Sequence, residues 1–338
     1  MSDPTFPAYP ILTGVGLLLV LVPFPWHFRA SNAGTCLYML WSAVASLTGV
    51  VNSILWHGNT DDKAPAWCEI SVHLSLSMMT AIPASALCIT RRLYIITNLS
   101  TVEFTRRQRR RAVAIDLLIG LALPVLQIPL QYVVQSRRYD IYEDIGCQPA
   151  IVNTILTYPL VILWPAVLSI ISACYCAFTL YMFISRRSEF NKCINKHLLS
   201  PTSSLGQYLR LTALASTQFF ISLPTSFYTL YLWLMQPGVI IPYESWAYIH
   251  TGFSHVQQVP ASVWRYDRNV EIAIELARWS IPFSSVAFFL FFGLSDEARK
   301  QYKMLFGKMF DACRPGRSVG SPRRPQRWSQ CVPRFEAY

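Results

Sequence analysis

Few side chains in this sequence are of types that do chemistry, and their spacing limits what that chemistry is. The six histidines, at positions 27, 57, 73, 197, 250 and 255, are scattered, so no metal-binding box forms. Asp116 is the one acid within a long apolar run apart from Glu275, which lies in the first turns of the last one, and a lone carboxylate cannot make an aspartyl dyad. Glu275 and Arg278 are three residues apart, so on a helix they share a face. They either pair with each other at the headgroups or point inward onto a polar ligand group. His73, about one helical turn below Cys68, is either a neutral core histidine or a ligand contact. No catalytic constellation, metal site or cofactor is expected, and the chemistry indicated is recognition.

The elements that must position these residues are membrane spans. Of the 338 residues 53% are hydrophobic and 14% charged, against about 25% charged in an average soluble domain. A helix crosses the hydrocarbon core with about 20 apolar residues. Seven stretches qualify: Ala8 to Trp26, Gly34 to Trp56, Ile70 to Ile96, Ala112 to Val134, Ile151 to Ile184, Leu211 to Met235 and Ile272 to Leu294. The predicted fold is therefore an all-α membrane protein, a seven-helix bundle over residues 1–294. With the first residues outside, only Lys63, Arg137, Arg138, Arg265, Arg268 and Arg278 of the 29 basic residues lie outside. That is the asymmetry of the positive-inside rule. The net charge of +11 thus marks a cytosolic face that also suits anionic inner-leaflet lipids, and no nucleic-acid partner is read from it. Met1 to Pro10 holds an acid and no base, unlike a signal peptide, so the first span is expected to act as an uncleaved anchor. The N-x-S/T match at Asn98-Leu99-Ser100 falls on the cytosolic side, and no N-glycan is expected.

Cysteine positions follow from this topology. Cys68 and Cys147 are the two of nine that lie outside, where disulfides persist. A bridge would pin the second outer loop over the mouth of the bundle; two unpaired outer thiols are the alternative. The stretch Gln236 to Glu271 carries Tyr243, Trp246, Tyr248, Phe253, Trp264 and Tyr266. It is either a lid over an outward-facing pocket or an interfacial aromatic belt. Asp116 lies near the run Arg109 to Arg111, so it reaches the inner interface or pairs with an arginine there; an intramembrane functional charge is the other reading. Residues 295–310 have helical amphipathic spacing with Arg299, Lys300, Lys303 and Lys308 largely on the polar face, which predicts a helix along the inner leaflet. Residues 311–338 read as a disordered basic tail, with Cys313 placed for a palmitoyl chain. Prolines interrupt five of the spans after the first, and Pro224, midway along the sixth, is the candidate hinge.

Several short motifs recur together in one order. Cys88-Ile89-x-Arg91-x-Leu93-Tyr94 ends the third span and Asp144-Ile145-Gly146-Cys147-Gln148-Pro149 lies in the second outer loop. Ser245-Trp246 with His250 and Phe253-Ser254 lies in the third outer loop, and Phe291-Phe292-Gly293 with Glu297-Ala298 and Tyr302 closes the seventh span. In this order they resemble the fungal mating-pheromone receptors of the a-factor-receptor type, class D G-protein-coupled receptors, over about Pro7 to Phe310. The chain departs from rhodopsin-like receptors: no acid precedes Arg91-Arg92 and no Asn-Pro-x-x-Tyr occurs in span seven. The resemblance implies a plasma-membrane receptor for a prenylated peptide pheromone that signals through a heterotrimeric G protein. The peptide's isoprenoid would be buried at about 0.8 kcal/mol per CH₂, so the pocket must be mostly apolar. His73, Trp246, His250, Glu275 and Arg278 are the candidate ligand contacts. Arg91, Arg92, Arg106, Arg107, Arg109, Arg186, Arg187 and Arg210 are the candidate G-protein surface, though basic loops serve equally as topology signals. A seven-span transporter is the rival reading. It would need a polar midplane pathway, for which only Asp116 is available, and the absence of an internal repeat weighs against it. The sequence leaves open whether the receptor forms a homodimer.

Overall fold

The structure is a computed structural model that describes residues 3–98, 105–185, 221–235, 240–294, 298–299 and 302–304. Within these, six helices are long and apolar enough to cross a membrane: Ala8–Arg29, Ala33–Leu55, Pro65–Ile95, Arg106–Tyr132, Tyr158–Met182 and Arg268–Phe292. The chain is a multi-pass helical membrane protein. Residues 221–235, the second half of the expected sixth span, are helical and include Pro224; the first half lies outside the described residues. In hydrocarbon each backbone N–H and C=O must find its partner inside the protein, and a helix does this within one segment. Hydroxyls in the spans are absorbed the same way: Thr48, Ser77, Thr90 and Thr179 each donate to the carbonyl four residues earlier.

Helix boundaries differ from the apolar pattern where local chemistry intervenes. The first helix runs Ala8–Leu21 and yields at Pro23, after which Phe24–Arg29 forms a short helix. The third extends back to Pro65, where the missing proline N–H costs nothing in a first turn. The fifth starts at Tyr158, seven residues later than the expected Ile151. Ile151 instead bridges Gln135, and Val152 N–H donates to the Val134 carbonyl. Of the expected surface helix over 295–310, residues 298–299 and 302–304 are helical, and Tyr302 meets Trp26 edge-on at 5.9 Å. The remainder, with Cys313 and the tail, lies outside the described residues.

The third span is the central post, packed on the second, fourth and fifth. Close approach relies on small residues: a Cβ on Gly34 would meet the Cys88 Cβ at 2.9 Å. Val20, Tyr38, Met39, Ile89, Leu93, Phe288 and Phe292 form a core that joins spans one, two, three and seven. Leu18, Leu118, Phe178 and Ile184 stand exposed on outward faces, as lipid contact requires.

One end of the bundle carries a small sheet that apolar periodicity does not announce. Strands β1 (Asp140–Tyr142) and β2 (Gly146–Gln148) form an antiparallel hairpin, and β3 (Gln257–Val259) adds in parallel to β1. The hairpin is tight because Asp144 and Gly146 take positive φ, 69° and 92°. Gly146 also has no room for a side chain, since a Cβ there would lie 2.6 Å from the Cβ of Asn52. The Cys68–Cys147 disulfide, Cα–Cα 5.3 Å, bolts the hairpin to the third span. The loop between spans six and seven is bound to it as well: Ala261 N–H donates to the Glu143 carboxylate at 2.7 Å and the Trp264 indole to the Glu143 carbonyl at 3.2 Å.

Candidate functional site

At the disulfide-bearing end, Arg278 and Glu275 turn inward, one helical turn apart. The Arg278 side chain is 6% exposed and lies 3.6 Å from Glu275. Its nearest acid is Asp3, at 2.9 Å, on the segment ahead of the first span. Asp3 in turn lies 3.7 Å from Arg265, which reaches Asp144 at 3.5 Å. Asp144 accepts from Gly58 N–H at 3.0 Å and faces the His57 ring at 3.4 Å. Phe6 stacks on that ring at 3.7 Å, and the Arg278 guanidinium sits 4.0 Å from the Tyr9 ring centre, a cation–π contact. Burial alone would push the Asp3 carboxyl up; hydrogen bonds from Thr5 and Arg278 outweigh it and hold it below its ordinary 3.8. The network therefore knits the first-span segment, both long loops and span seven together.

The other candidate ligand contacts gather beside the fourth span. His73 is bonded to Gln131. The next residue, Tyr132, offers its carbonyl to His250 Nε2 at 3.0 Å. His250 also stacks on Trp246 at 4.0 Å, and Tyr132 and Phe253 complete the cluster. Trp246 is about half exposed. The five residues thus fall into two groups: Glu275 and Arg278 beside the first span, and His73, Trp246 and His250 around the outer turn of the fourth.

Sequence reasoning missed Asp3, Arg265 and His57, and treated Asp144 only as part of a motif. Asp3 is an acid just before an uncharged span, and Arg265 is one of few bases on its side. Those were signals that each needed a partner, but nothing in their spacing says which.

At the opposite end, the expectation for Asp116 needs correcting in its partner. Asp116 pairs with Arg91 of the third span at 2.7 Å, not with the Arg109–Arg111 run. Its own carbonyl faces the Cys88 thiol at 3.5 Å. Helix geometry explains this: Asp116 is buried toward the third span while the run ahead of it is exposed. Arg91 is largely buried and also donates to the Ala112 carbonyl at 3.2 Å, so it is engaged inside the bundle. Arg92 and Arg109 donate to the carbonyls of Ser31 and Ala30 at 2.9 and 3.2 Å. Arg106 and Arg107 begin the fourth helix, behind a Thr105–Gln108 capping box, and are exposed. Arg186, Arg187 and Arg210 lie outside the described residues. No group of three metal-ligating side chains occurs among the described residues.

The chain matches the family described as STE3, pheromone A receptor, over residues 8–311. It is 42% identical over 324 residues to the pheromone B alpha 2 receptor of Schizophyllum commune, covering 96% of this chain and 48% of that protein. Pheromone receptor 1 of Mycosarcoma maydis is 36% identical over 305 residues, 90% of this chain and 85% of that protein. The pheromone a factor receptor of Saccharomyces cerevisiae is 23% identical over 291 residues, covering 85% and 59%. The chain spans about half the length of the Schizophyllum relatives it matches.

Proposed function

From the premise that this chain belongs to the STE3 pheromone A receptor family, we propose that it is a plasma-membrane receptor that binds a prenylated peptide pheromone and activates a heterotrimeric G protein. The observation that carries this is the family match over residues 8–311, which takes in every span. In this reading the disulfide-bearing end is extracellular, because a disulfide persists in an oxidising compartment. The arginine-rich end faces the cytosol. The lid of β1 to β3 then covers the ligand side, and the two groups around Arg278 and His250 supply its polar contacts. Arg106 and Arg107, exposed at the start of the fourth helix, are the described arginines best placed to meet a G protein; Arg186, Arg187 and Arg210, outside the described residues, are proposed to take part with them. Arg91, tied to Asp116, acts from inside the bundle. Agonist activates through its higher affinity for the active packing, with span six shifting near Pro224. No finding favours a transporter.

The test is nucleotide exchange on a G-protein α subunit with the chain reconstituted in lipid nanodiscs. A farnesylated peptide is expected to stimulate exchange, and its unprenylated counterpart to do so far less. Silence toward a panel of prenylated peptides, with the chain shown to be at the cell surface, would sink the proposal.

A further inference from the structure

The ionic network at the disulfide-bearing end has an uneven composition. Three carboxylates, those of Asp3, Asp144 and Glu275, surround the two guanidinium groups of Arg265 and Arg278. Asp144 belongs to the disulfide-bolted lid, Arg265 to the loop bound to that lid, and Glu275 and Arg278 to a span. Asp3 alone sits on a segment ahead of the first span. Apart from the Arg278 pair, the segment's hold on the rest of the network is slight: Phe6, still 37% exposed, stacks on His57, and Asp3 approaches Arg265 no closer than 3.7 Å.

The guanidinium groups are also under-used. Arg278 Nη1 and Arg265 Nη2 are buried and make no hydrogen bond among the described residues, and the same is true of Glu275 Oε2 and Asp144 Oδ2. Asp3 spends one carboxylate oxygen on the Thr5 N–H and hydroxyl and gives Arg278 the other. A guanidinium buried this deeply is not left without an acceptor. Whatever displaces Asp3 must therefore bring an oxygen of its own, and can satisfy more of Arg278 than Asp3 does.

Resting on the receptor reading above, we infer that Arg278 is a subsite for an acceptor oxygen of the peptide ligand, a carboxylate or carbonyl, and that Asp3 occupies it as a tethered stand-in. Because the stand-in is covalently attached, it competes at a high effective concentration. The ligand's apparent affinity is reduced by the fraction of time the subsite is closed.

Asp3→Asn is expected to lower the peptide concentration for half-maximal nucleotide exchange about tenfold, on the population argument. Arg278→Gln is expected to raise it at least about tenfold. In the double variant the Asp3→Asn effect disappears, because its partner is gone. A change in thermal stability with no change in potency, or an Asp3→Asn effect that survives in the Arg278→Gln background, would mean the segment is a structural staple and would overturn the inference. A second measurement needs no ligand: hydrogen exchange of backbone amides over residues 3–9. It is expected to be slow in the parent chain and faster in both single variants. If no prenylated peptide activates the parent chain, the receptor reading fails; unchanged amide exchange in both variants overturns the Asp3 stand-in independently of that.

Discussion

Tyr139 illustrates how a single side chain is set by neighbours distant in sequence. Its ring is fully buried under the lid, and its hydroxyl donates to the Asp62 carboxylate at 3.0 Å. Burial first, and then the hydrogen bond to Asp62, push the phenol from 10.0 up to about 12. The folded value lies above the unfolded one, so the neutral phenol's contribution to stability is complete below pH 10 and is lost as pH rises through about 12. Tyr139→Phe should lower thermal stability at neutral pH and remove the Tyr139 share of the alkaline fall between those two values, leaving the part that partly buried Tyr142 contributes. A parallel pH curve for parent and variant would contradict this. Arg138, held above its ordinary value by its hydrogen bond to Glu69, stays charged as Tyr139 titrates and does not reproduce the effect. At this scale the sequence was least informative. It marked Asp116 as a charge needing a partner, but Arg91 lies 25 residues away and the competing arginines were nearer in sequence.

Among the elements, the fourth span shows how a proline is accommodated. Pro124 has no N–H, so the Gly120 carbonyl four residues earlier loses its usual donor. The helix widens into a π turn over Leu118–Ala122, a frequent response to an interrupted ladder. Trp41 of the second span then donates its indole N–H to the Gly120 carbonyl at 2.8 Å. Gly120 permits the approach, since a Cβ there would meet Leu37 Cδ1 at 2.7 Å. Trp41→Phe should therefore cost about 1–3 kcal/mol for the unsatisfied carbonyl, on top of any packing loss. In a Pro124→Ala background that polar part should vanish, because the restored N–H reclaims Gly120. Equal Trp41→Phe costs in the two backgrounds, by thermal unfolding in detergent, would refute the exchange of donors. Pro124 was visible in the sequence as an interruption. Trp41 was invisible as its remedy, because a tryptophan in a span reads as apolar bulk.

The whole molecule is a bundle with two unlike ends. One is capped by a sheet drawn from two loops, and the other is lined by arginines bound to carbonyls and to Asp116. Cys68 and Cys147 are 79 residues apart, and closing so long a loop typically stabilises by about 2–4 kcal/mol. Cys68→Ser and Cys147→Ser should each lower the unfolding midpoint by a similar amount, and the double variant should fall no further. Additive losses would argue against a shared bond. The lid itself was half legible. The two cysteines and the aromatic third loop pointed to a cover, but the parallel pairing of β1 with β3 joins segments more than a hundred residues apart through three-residue strands. No local period marks strands that short.

The sequence by itself determined the spans, the unlike ends and the family. Hydrocarbon tolerates so few backbone and charge arrangements that twenty uncharged residues already specify a helix across it, and the motifs keep their order along the chain. Only the tertiary structure decided which charges meet. Asp3 with Arg278, Arg265 with Asp144 and Asp116 with Arg91 are each separated by tens to hundreds of residues. They are joined because a charge buried in a bundle must take whatever counter-charge packing brings within reach. Glu275 and Arg278 could be read as neighbours on one helix face. That they look inward, onto an acid from before the first span, required every helix between them to be in place.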